Sequence, residues 1–401
     1  MIEIPASKSI LQRLMVILAH ARGEIWLESF NPCADVLELQ SALEIFGFRV
    51  RAEGSARHFA FDQALFLKSR HCYFFEASAT ANRLWLSVLA NLPGVKSEVR
   101  ASEALFKRGI EPLLCALKEL GAECETRNNT LCIRGAALKG GKLFVETSRS
   151  SQYASSLLLA APFMTADLQL GFSGELVSAP YLKLSIALLK SMGARVAESA
   201  EGMVVAAGGL ELPLRFRADS DLSTAAYYAL KAALGKKVQE LRVLYNPHFP
   251  QADAAIWEIL QQMGAKIEFE GELLRVYPSK LHGICLDLKD TPDLMPVLCM
   301  AGVLGTSPMT LKGISRLRYK ESDRVQGICR ALQRLRVRYE YGEDALIVYP
   351  LEKPPPASTL DTQNDHRLVM AFSLVQMLYP QVRLNETQSL FKSIGFAALS
   401  K

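Results

Sequence analysis

No apolar run in this sequence approaches the length of a membrane span: the stretch Leu14 to Ala19 is short, and Lys8 and Arg13 stand just before it. The eight cysteines, at 33, 72, 115, 124, 132, 285, 299 and 329, form no Cys-x-x-Cys pair. That removes the common zinc spacings, and with most of them in apolar surroundings it predicts buried thiols in a reducing compartment. No block of Lys and Arg makes a stripe, and the formal charge of +5 is mild for 401 residues. A nucleic-acid duplex is therefore a poor partner, and a small, highly anionic ligand a better one. These absences predict a cytoplasmic protein. Its length and its 50% apolar content suffice for two sizeable cores.

What is present is a repeat. Six apolar helices are expected, each opening on a polar residue in the same register: Lys8, Thr80, Ser151, Ser223, Asp293 and Asp365, recurring every 70 to 72 residues. Each runs out near Gly or Pro and is followed by a short strand, such as Ile25 to Leu27 or Met309 to Leu311. Second helices are expected to begin near Asp35, Lys107, Ala179, Asp253, Tyr319 and Lys392. Four of them end in a phrase with a glycine at 47, 121, 193 or 264, the left-handed position that closes a helix; in the fifth copy Arg336 stands there instead. A hairpin then follows, as in residues 266–276. Helix, strand, helix, hairpin, six times over, predicts an α/β protein of two domains with three repeats each. Residues 6–217 would form one domain, and residues 1–5 with 218–401 the other, Met1 to Ile4 pairing as a strand into the C-terminal half.

One stretch concentrates charge. Leu317-Arg-Tyr-Lys-Glu-Ser-Asp-Arg324 holds three cations at a helix start, where the dipole disfavours them, with Ser322 and Asp323 as candidate caps. The cluster suits a docked anion, with Glu321 as a proton carrier beside it. A solvated charged face is the plainer alternative. The other helix starts add Ser7-Lys8-Ser9 with Arg13, Thr80 with Arg83, Ser150-Ser151-Gln152, Asp293 and Asn364-Asp365-His366-Arg367. Ser, Thr and Asp are ordinary caps at such places, and His366 could be a satisfied structural histidine. Arg367 and Lys392, by contrast, enter sparsely charged apolar segments.

Taken together and in order, Ser7-Lys8-Ser9 with Arg13, Ser150-Ser151-Gln152, Ser178 before Pro180-Tyr181, Asp293, Lys320 to Arg324, Asn364 to Arg367 and Lys392-Ser393 resemble the 5-enolpyruvylshikimate-3-phosphate (EPSP) synthase family. The family is also called 3-phosphoshikimate 1-carboxyvinyltransferase. The resemblance implies two domains of three βαβαββ units each, an inside-out α/β barrel arrangement, with the active site in the cleft between them. It implies transfer of the enolpyruvyl group of phosphoenolpyruvate to the 5-hydroxyl of shikimate 3-phosphate, with release of phosphate, by a monomer needing no metal or organic cofactor. By position, Asp293 would accept the hydroxyl proton, Glu321 would protonate the methylene, and Lys392 would stabilise developing charge. Lys8, Arg83, Arg324, Arg367 and Lys392 would bind phosphoenolpyruvate. Lys8, Ser9, Arg13, Ser150, Ser151, Gln152, Ser178, Asp293 and Lys320 would hold shikimate 3-phosphate.

The sequence also departs from the family. Ala79-Thr80-Ala81-Asn82-Arg83 stands where the family reads Gly-Thr-Ala-Met-Arg, and the methyl of Ala79 is expected to weaken inhibition by glyphosate. Ala104 aligns with a family arginine, with Arg100, Lys107 and Arg108 near but out of register, and Gly395 replaces a proline. The alternatives are the sister enzyme that acts on UDP-N-acetylglucosamine and a degenerate, non-catalytic member. The sister enzyme carries a cysteine in a mobile glycine-rich loop; here Cys115 lies in the apolar phase of a helix and is expected to pack in the core.

Overall fold

A computed structural model describes residues 1–128 and 130–392, except for the side chains of residues 319, 391 and 392. The described chain is mixed α/β and divides into two compact units. One comprises Ala6–Asp219 and Asn246–Pro250; the other comprises Met1–Pro5, Ser220–Tyr245 and the residues from Gln251 on.

Five of the six repeats build the same small four-stranded sheet. In the second, Cys72–Phe75 runs parallel to Lys96–Ala101, which pairs antiparallel with Thr130–Arg134, and Glu123–Arg127 closes the edge. Four other sheets share this order, whereas the sixth has only Ser358–Leu360 parallel to Val382–Leu384. The leading strands of two repeats come from distant sequence. Arg215–Phe216 pairs with Glu24–Leu27 in the first sheet, and Ile2–Glu3 pairs with Gln239–Arg242 in the fourth. That exchange makes the C-terminal unit discontinuous.

The first helix of each repeat forms the core. Lys8–Ala21, Ala79–Ala90 and Gln152–Ala160 pack on one another in one unit, and Leu222–Ala233, Met295–Val303 and His366–Leu378 do so in the other. These helices are apolar nearly all round, as a helix enclosed by sheets and neighbouring helices must be. Residues 10–19 of the first are all buried, as are all nine of Met295–Val303. Each unit has its own hydrophobic core. With the flanks apolar, the only place for charge on these helices is their ends, and their N-terminal ends carry the residues singled out above.

Three expectations need correction. The second helix of the second repeat is broken: Glu103–Lys107 ends at Lys107, and Glu111–Glu119 starts again after Gly109, whose φ of +73° no helix allows. In the fifth repeat the helix begins at Arg324, five residues after Tyr319. Ser315–Tyr319 is a 3-10 turn, Lys320 is extended (ψ −152°), and Asp323 caps by accepting from the Gln326 N–H at 2.9 Å. Arg318, Lys320 and Arg324 therefore do not share one turn. Third, Cys33, Cys124, Cys299 and Cys329 are buried, but Cys72, Cys115 and Cys285 are exposed. Cys115 is not a core residue: its helix buries Leu113, Leu114, Ala116 and Leu117 and turns Cys115 to solvent. The sixth second helix, expected near Lys392, lies outside the described residues beyond the 3-10 turn Gln388–Lys392.

The closing positions of the second helices behave as their composition dictates. Gly47, Gly121, Gly193 and Gly264 all have positive φ, and Arg336 adopts the same left-handed region (φ 57°, ψ 35°) despite its side chain.

Candidate active site

In the C-terminal unit the unusual polar residues converge on one buried guanidinium. Arg324 opens its helix with a side chain 1% exposed and donates from Nε to Asp365 Oδ2 (2.8 Å), from Nη1 to Asp293 Oδ1 (2.7 Å) and from Nη2 to Glu321 Oε2 (2.7 Å). Asp293, Glu321 and Asp365 thus arrive from separate segments, and each is fixed locally. Asp293 sits in the 3-10 turn Pro292–Leu294 that precedes a fully apolar helix. Glu321 and Ser322 lie in the extended break ahead of Arg324, and the Ser322 hydroxyl donates to Asp365 Oδ2 at 3.0 Å. Asp365 is fully buried and caps its own helix by accepting from the Arg367 N–H at 2.9 Å. Gln363 and Asn364, both left-handed, turn the chain into that position.

The electrostatics follow from this packing. Burial works against the Arg324 charge, but Asp365, Glu321 and Asp293 outweigh it and hold its pKa well above the usual value. Burial would raise the Asp293 carboxyl, yet Lys320, Arg324 and Arg367 together hold it well below the usual carboxylate range, with Lys320 Nζ 3.5 Å from Oδ1. Arg367 is buried in the first turn of its helix; Asp293, Tyr227, Asp221 and Asp253 keep it charged against burial. Its Nη1 meets no hydrogen-bond partner among the described residues. A buried guanidinium nitrogen without an acceptor is costly unless an anion reaches it. Lys392 is in the described turn, but its side chain lies outside the described residues.

The N-terminal unit presents a second group. Lys8 Nζ pairs with Asp35 Oδ2 at 2.9 Å, both side chains mostly buried. Gln12 Nε2 donates to Ser78 Oγ (2.9 Å) and to the Asp35 carbonyl (3.0 Å), tying the starts of two repeats together. Arg13 is buried and turned inward, donating to Ser185 Oγ (2.8 Å) and to the carbonyls of Ser9 (2.8 Å) and Tyr181 (3.2 Å); burial brings its pKa down to about 10. Ser178 is left-handed and precedes Pro180 at the start of Ala179–Ser191, and its carbonyl accepts from Ser151 Oγ at 3.4 Å. Arg83 donates to Ser150 Oγ (3.2 Å), Gln152 Oε1 (2.8 Å) and the carbonyls of Arg108 (2.7 Å) and Gly109 (2.9 Å), its guanidinium 4.9 Å from the centre of the Tyr153 ring. Gln152 Nε2 in turn donates to Thr80 Oγ1 at 2.7 Å. Ala104 is exposed on the short helix Glu103–Lys107.

Two residues in these groups escaped attention in the sequence. Asp253, which read only as the start of a second helix, is a buried carboxyl bonded to the Ser223 hydroxyl and close enough to Asp293 and Arg367 to feel both. Glu38 accepts from the N–H groups of Glu76 (2.9 Å), Ala77 (2.6 Å) and Ser78 (3.0 Å), which fixes the loop leading into Ala79. Glu38 sits in the helix Ala34–Phe46 and Asp253 in the 3-10 turn Ala252–Ala254, and an acid in either place looks like any other acid until the fold is known. Among the described residues, no group of three or more His, Cys, Asp or Glu side chains is arranged to hold a metal ion, and no helix is long and apolar enough to cross a membrane.

The sequence profile of the EPSP synthase (3-phosphoshikimate 1-carboxyvinyltransferase) family matches residues 1–394. The chain belongs to the EPSP synthase family. Among similar curated proteins is the 3-phosphoshikimate 1-carboxyvinyltransferase of Dehalococcoides mccartyi, 29% identical over 393 residues, which are 98% of this chain and 92% of that one. The protein of the same name from Pasteurella multocida is 28% identical over 404 residues, covering 96% and 90%. Among solved structures, EPSP synthase from Acinetobacter baumannii superposes with a TM-score of 0.79 at 22% identity, covering 99% of this chain and 94% of that one. The enolpyruvyl transferase NikO from Streptomyces tendae gives 0.76 at 14%, covering 99% and 92%. At these identities the structures establish the fold: six α/β repeats of the EPSP synthase type.

Proposed function

We propose that this protein transfers the enolpyruvyl group of phosphoenolpyruvate to the 5-hydroxyl of shikimate 3-phosphate, releasing phosphate, in the shikimate route to aromatic amino acids. The observation that carries this reading is the family match over residues 1–394, together with relatives named for that reaction along nearly the full chain. The chemistry of the residues is in keeping with it. Both substrates are small and highly anionic, which suits the buried cations Arg13, Arg83, Arg324 and Arg367 and the partly buried Lys8 and Lys320.

In this reading Asp293 accepts the hydroxyl proton as the oxygen attacks C2 of phosphoenolpyruvate, and Glu321 protonates the methylene to give a methyl group. Loss of a proton from that methyl and departure of phosphate then restore the double bond. Asp293 is held ionised, the state a proton acceptor needs, but its low pKa makes it a weak base, so proton transfer must accompany C–O bond formation. Glu321 starts as an ion-pair partner of Arg324. Two phosphate-bearing substrates alongside would raise the proton affinity of nearby carboxylates, the direction that an acid role requires. Lys8, Arg324, Arg367 and Lys392 serve phosphoenolpyruvate, while Arg83, its donors taken by Ser150, Gln152 and the carbonyls of Arg108 and Gly109, braces the site from behind; Lys8, Ser9, Arg13, Ser150, Ser151, Gln152, Ser178, Asp293 and Lys320 serve shikimate 3-phosphate. Arg324 enters the reaction already satisfied by three carboxylates, so a substrate carboxylate has to take the place of one of them. The reaction runs in the cytoplasm, and no metal or organic cofactor takes part.

The acceptor is tested by incubating the protein and phosphoenolpyruvate with either shikimate 3-phosphate or UDP-N-acetylglucosamine and weighing the products. An enolpyruvyl adduct of shikimate 3-phosphate alone is expected. An adduct of the nucleotide sugar would overturn the reading. Cys115, on a helix and not in a glycine-rich loop, gives the second acceptor no support.

A further inference from the structure

Arg83 binds its own protein so fully that it has little left for a ligand. Four of its N–H groups are occupied, two by the side chains of Ser150 and Gln152 and two by the carbonyls of Arg108 and Gly109. Its work is to fasten Ala79–Ala90 to the start of Gln152–Ala160 and to the turn at Gly109. Around it the charge is unbalanced. Burial works most against its charge and Arg108 and Arg149 add to that, while the Tyr153 hydroxyl and Glu111 favour it.

The two acids closest to hand are engaged. Glu111 Oε2 accepts from the Ile110 N–H at 3.0 Å, and Glu146 Oε1 accepts from the Ser148 N–H at 2.6 Å and from its hydroxyl. Other cations of this repeat have partners of their own: Lys107 pairs with Glu103 at 2.7 Å and Arg100 faces Glu98 at 3.8 Å. Arg149 does not. It is exposed and makes no hydrogen bond or ion pair among the described residues. Its guanidinium lies over Gly109, with Nη1 3.6 Å and Cζ 3.9 Å from where a β-carbon would stand. Ser150, Ser151 and Gln152 follow it directly.

Glu111 Oε2 flanks the same point over Gly109 at 2.9 Å but makes no bond to Arg149, so this guanidinium, beside a buried arginine whose donors face inward and a third guanidinium, suits a planar or tetrahedral oxyanion able to take paired hydrogen bonds. We propose that Arg149 is a substrate-binding residue, donating to the phosphate monoester of a substrate held at the Ser150-Ser151-Gln152 helix start, with Arg83 positioning that helix start from behind. The proposal rests on the function proposed above. Both substrates of that reaction carry a phosphate monoester, and the experiment separates them.

Because Arg149 is exposed, Arg149→Gln and Arg149→Lys are expected to fold as the parent does. Each full-length variant is titrated calorimetrically with shikimate 3-phosphate, shikimate, phosphoenolpyruvate and inorganic phosphate, and KM is measured for the two substrates. Arg149→Gln should weaken one phosphate ester by ~10-fold or more, the size of a lost charge-assisted pair of hydrogen bonds, with Arg149→Lys between it and the parent. Shikimate, which lacks the phosphate, should bind the variants and the parent alike. Whichever ester is weakened names the source of the phosphate. Affinities and KM values for both esters within twofold of the parent would overturn the proposal. So would a parent protein that binds none of the phosphate compounds. A parent that binds them without turnover would sink the proposed reaction, while the comparison of affinities would still decide the role of Arg149.

Discussion

Arg324 Nε donates to Asp365 Oδ2 at 2.8 Å, and both side chains are sealed from solvent, 1% and 0% exposed. This pair joins the break before Arg324–Leu335 to the cap of His366–Leu378, and Asp293 and Glu321 complete the shell. Four charged groups held this way are stable only as a set.

Removing one member should show it. Asp365→Asn keeps the shape and the cap but leaves Arg324 short of a carboxylate in a buried place. The expected loss is about 3–5 kcal/mol in chemical denaturation, the usual range for breaking a buried pair. A loss below about 1 kcal/mol, within the range of exposed pairs, would mean that the cluster is not a mutually dependent unit.

Stability should also fall between about pH 4 and pH 6 on account of Asp253. Burial and the nearby Asp293 charge push its carboxyl up to about 6, despite Arg367 and the Ser223 hydroxyl, whereas an unfolded Asp titrates near 4. In that window the folded protein holds a proton that the unfolded chain has lost, so stability decreases as pH rises, by ~2–3 kcal/mol in all. Asp219, lifted to about 6 by burial, adds a slope of the same sign. Asp253→Asn should reduce the slope measured by urea unfolding across this range; an unchanged slope would put the Asp253 pKa near the ordinary value.

At the fifth repeat, Arg336 holds a left-handed conformation that four other repeats give to glycine. Arg336→Gly removes a steric penalty of ~1–2 kcal/mol and adds back part of it as unfolded-chain entropy. The net expectation is a stabilisation of about 0.5–1 kcal/mol by thermal or urea unfolding, with no change in activity. A destabilised variant would show that the arginine side chain contributes more than its backbone costs.

Ala79 opens the helix Ala79–Ala90 behind the loop that Glu38 pins, and its side chain is 5% exposed. If it narrows the phosphoenolpyruvate site, Ala79→Gly should be inhibited by glyphosate more strongly than the parent protein is. Equal inhibition constants would remove Ala79 from the account.

How much of this could be read from the chain depends on the range of the interaction. The repeat was legible because each copy must bury an apolar helix against a small sheet, so the hydrophobic period and the closing glycine recur. Local signals also worked where one cap decides, as at Asp323. They failed at Gly109 and Lys320, where a positive φ and an extended residue interrupt helical spacing that looks continuous. They failed again at Cys115, one position off the buried face. The charged stretch at Leu317 to Arg324 looked like one overcharged turn because its neutralising partners, Asp293 and Asp365, lie 31 and 41 residues away. No periodicity encodes that. For the same reason Arg83 and Arg149 could not be ranked from sequence: one is buried and occupied, the other exposed and unpaired.

The most direct test is turnover. Purified protein is mixed with shikimate 3-phosphate and phosphoenolpyruvate, phosphate release is followed, and Glu321→Gln is run alongside with calorimetric titration of shikimate 3-phosphate. Phosphate release that needs both substrates is expected, with a variant slowed by ~100-fold or more that still binds shikimate 3-phosphate. A folded parent protein that binds shikimate 3-phosphate and releases no phosphate would contradict the proposed function.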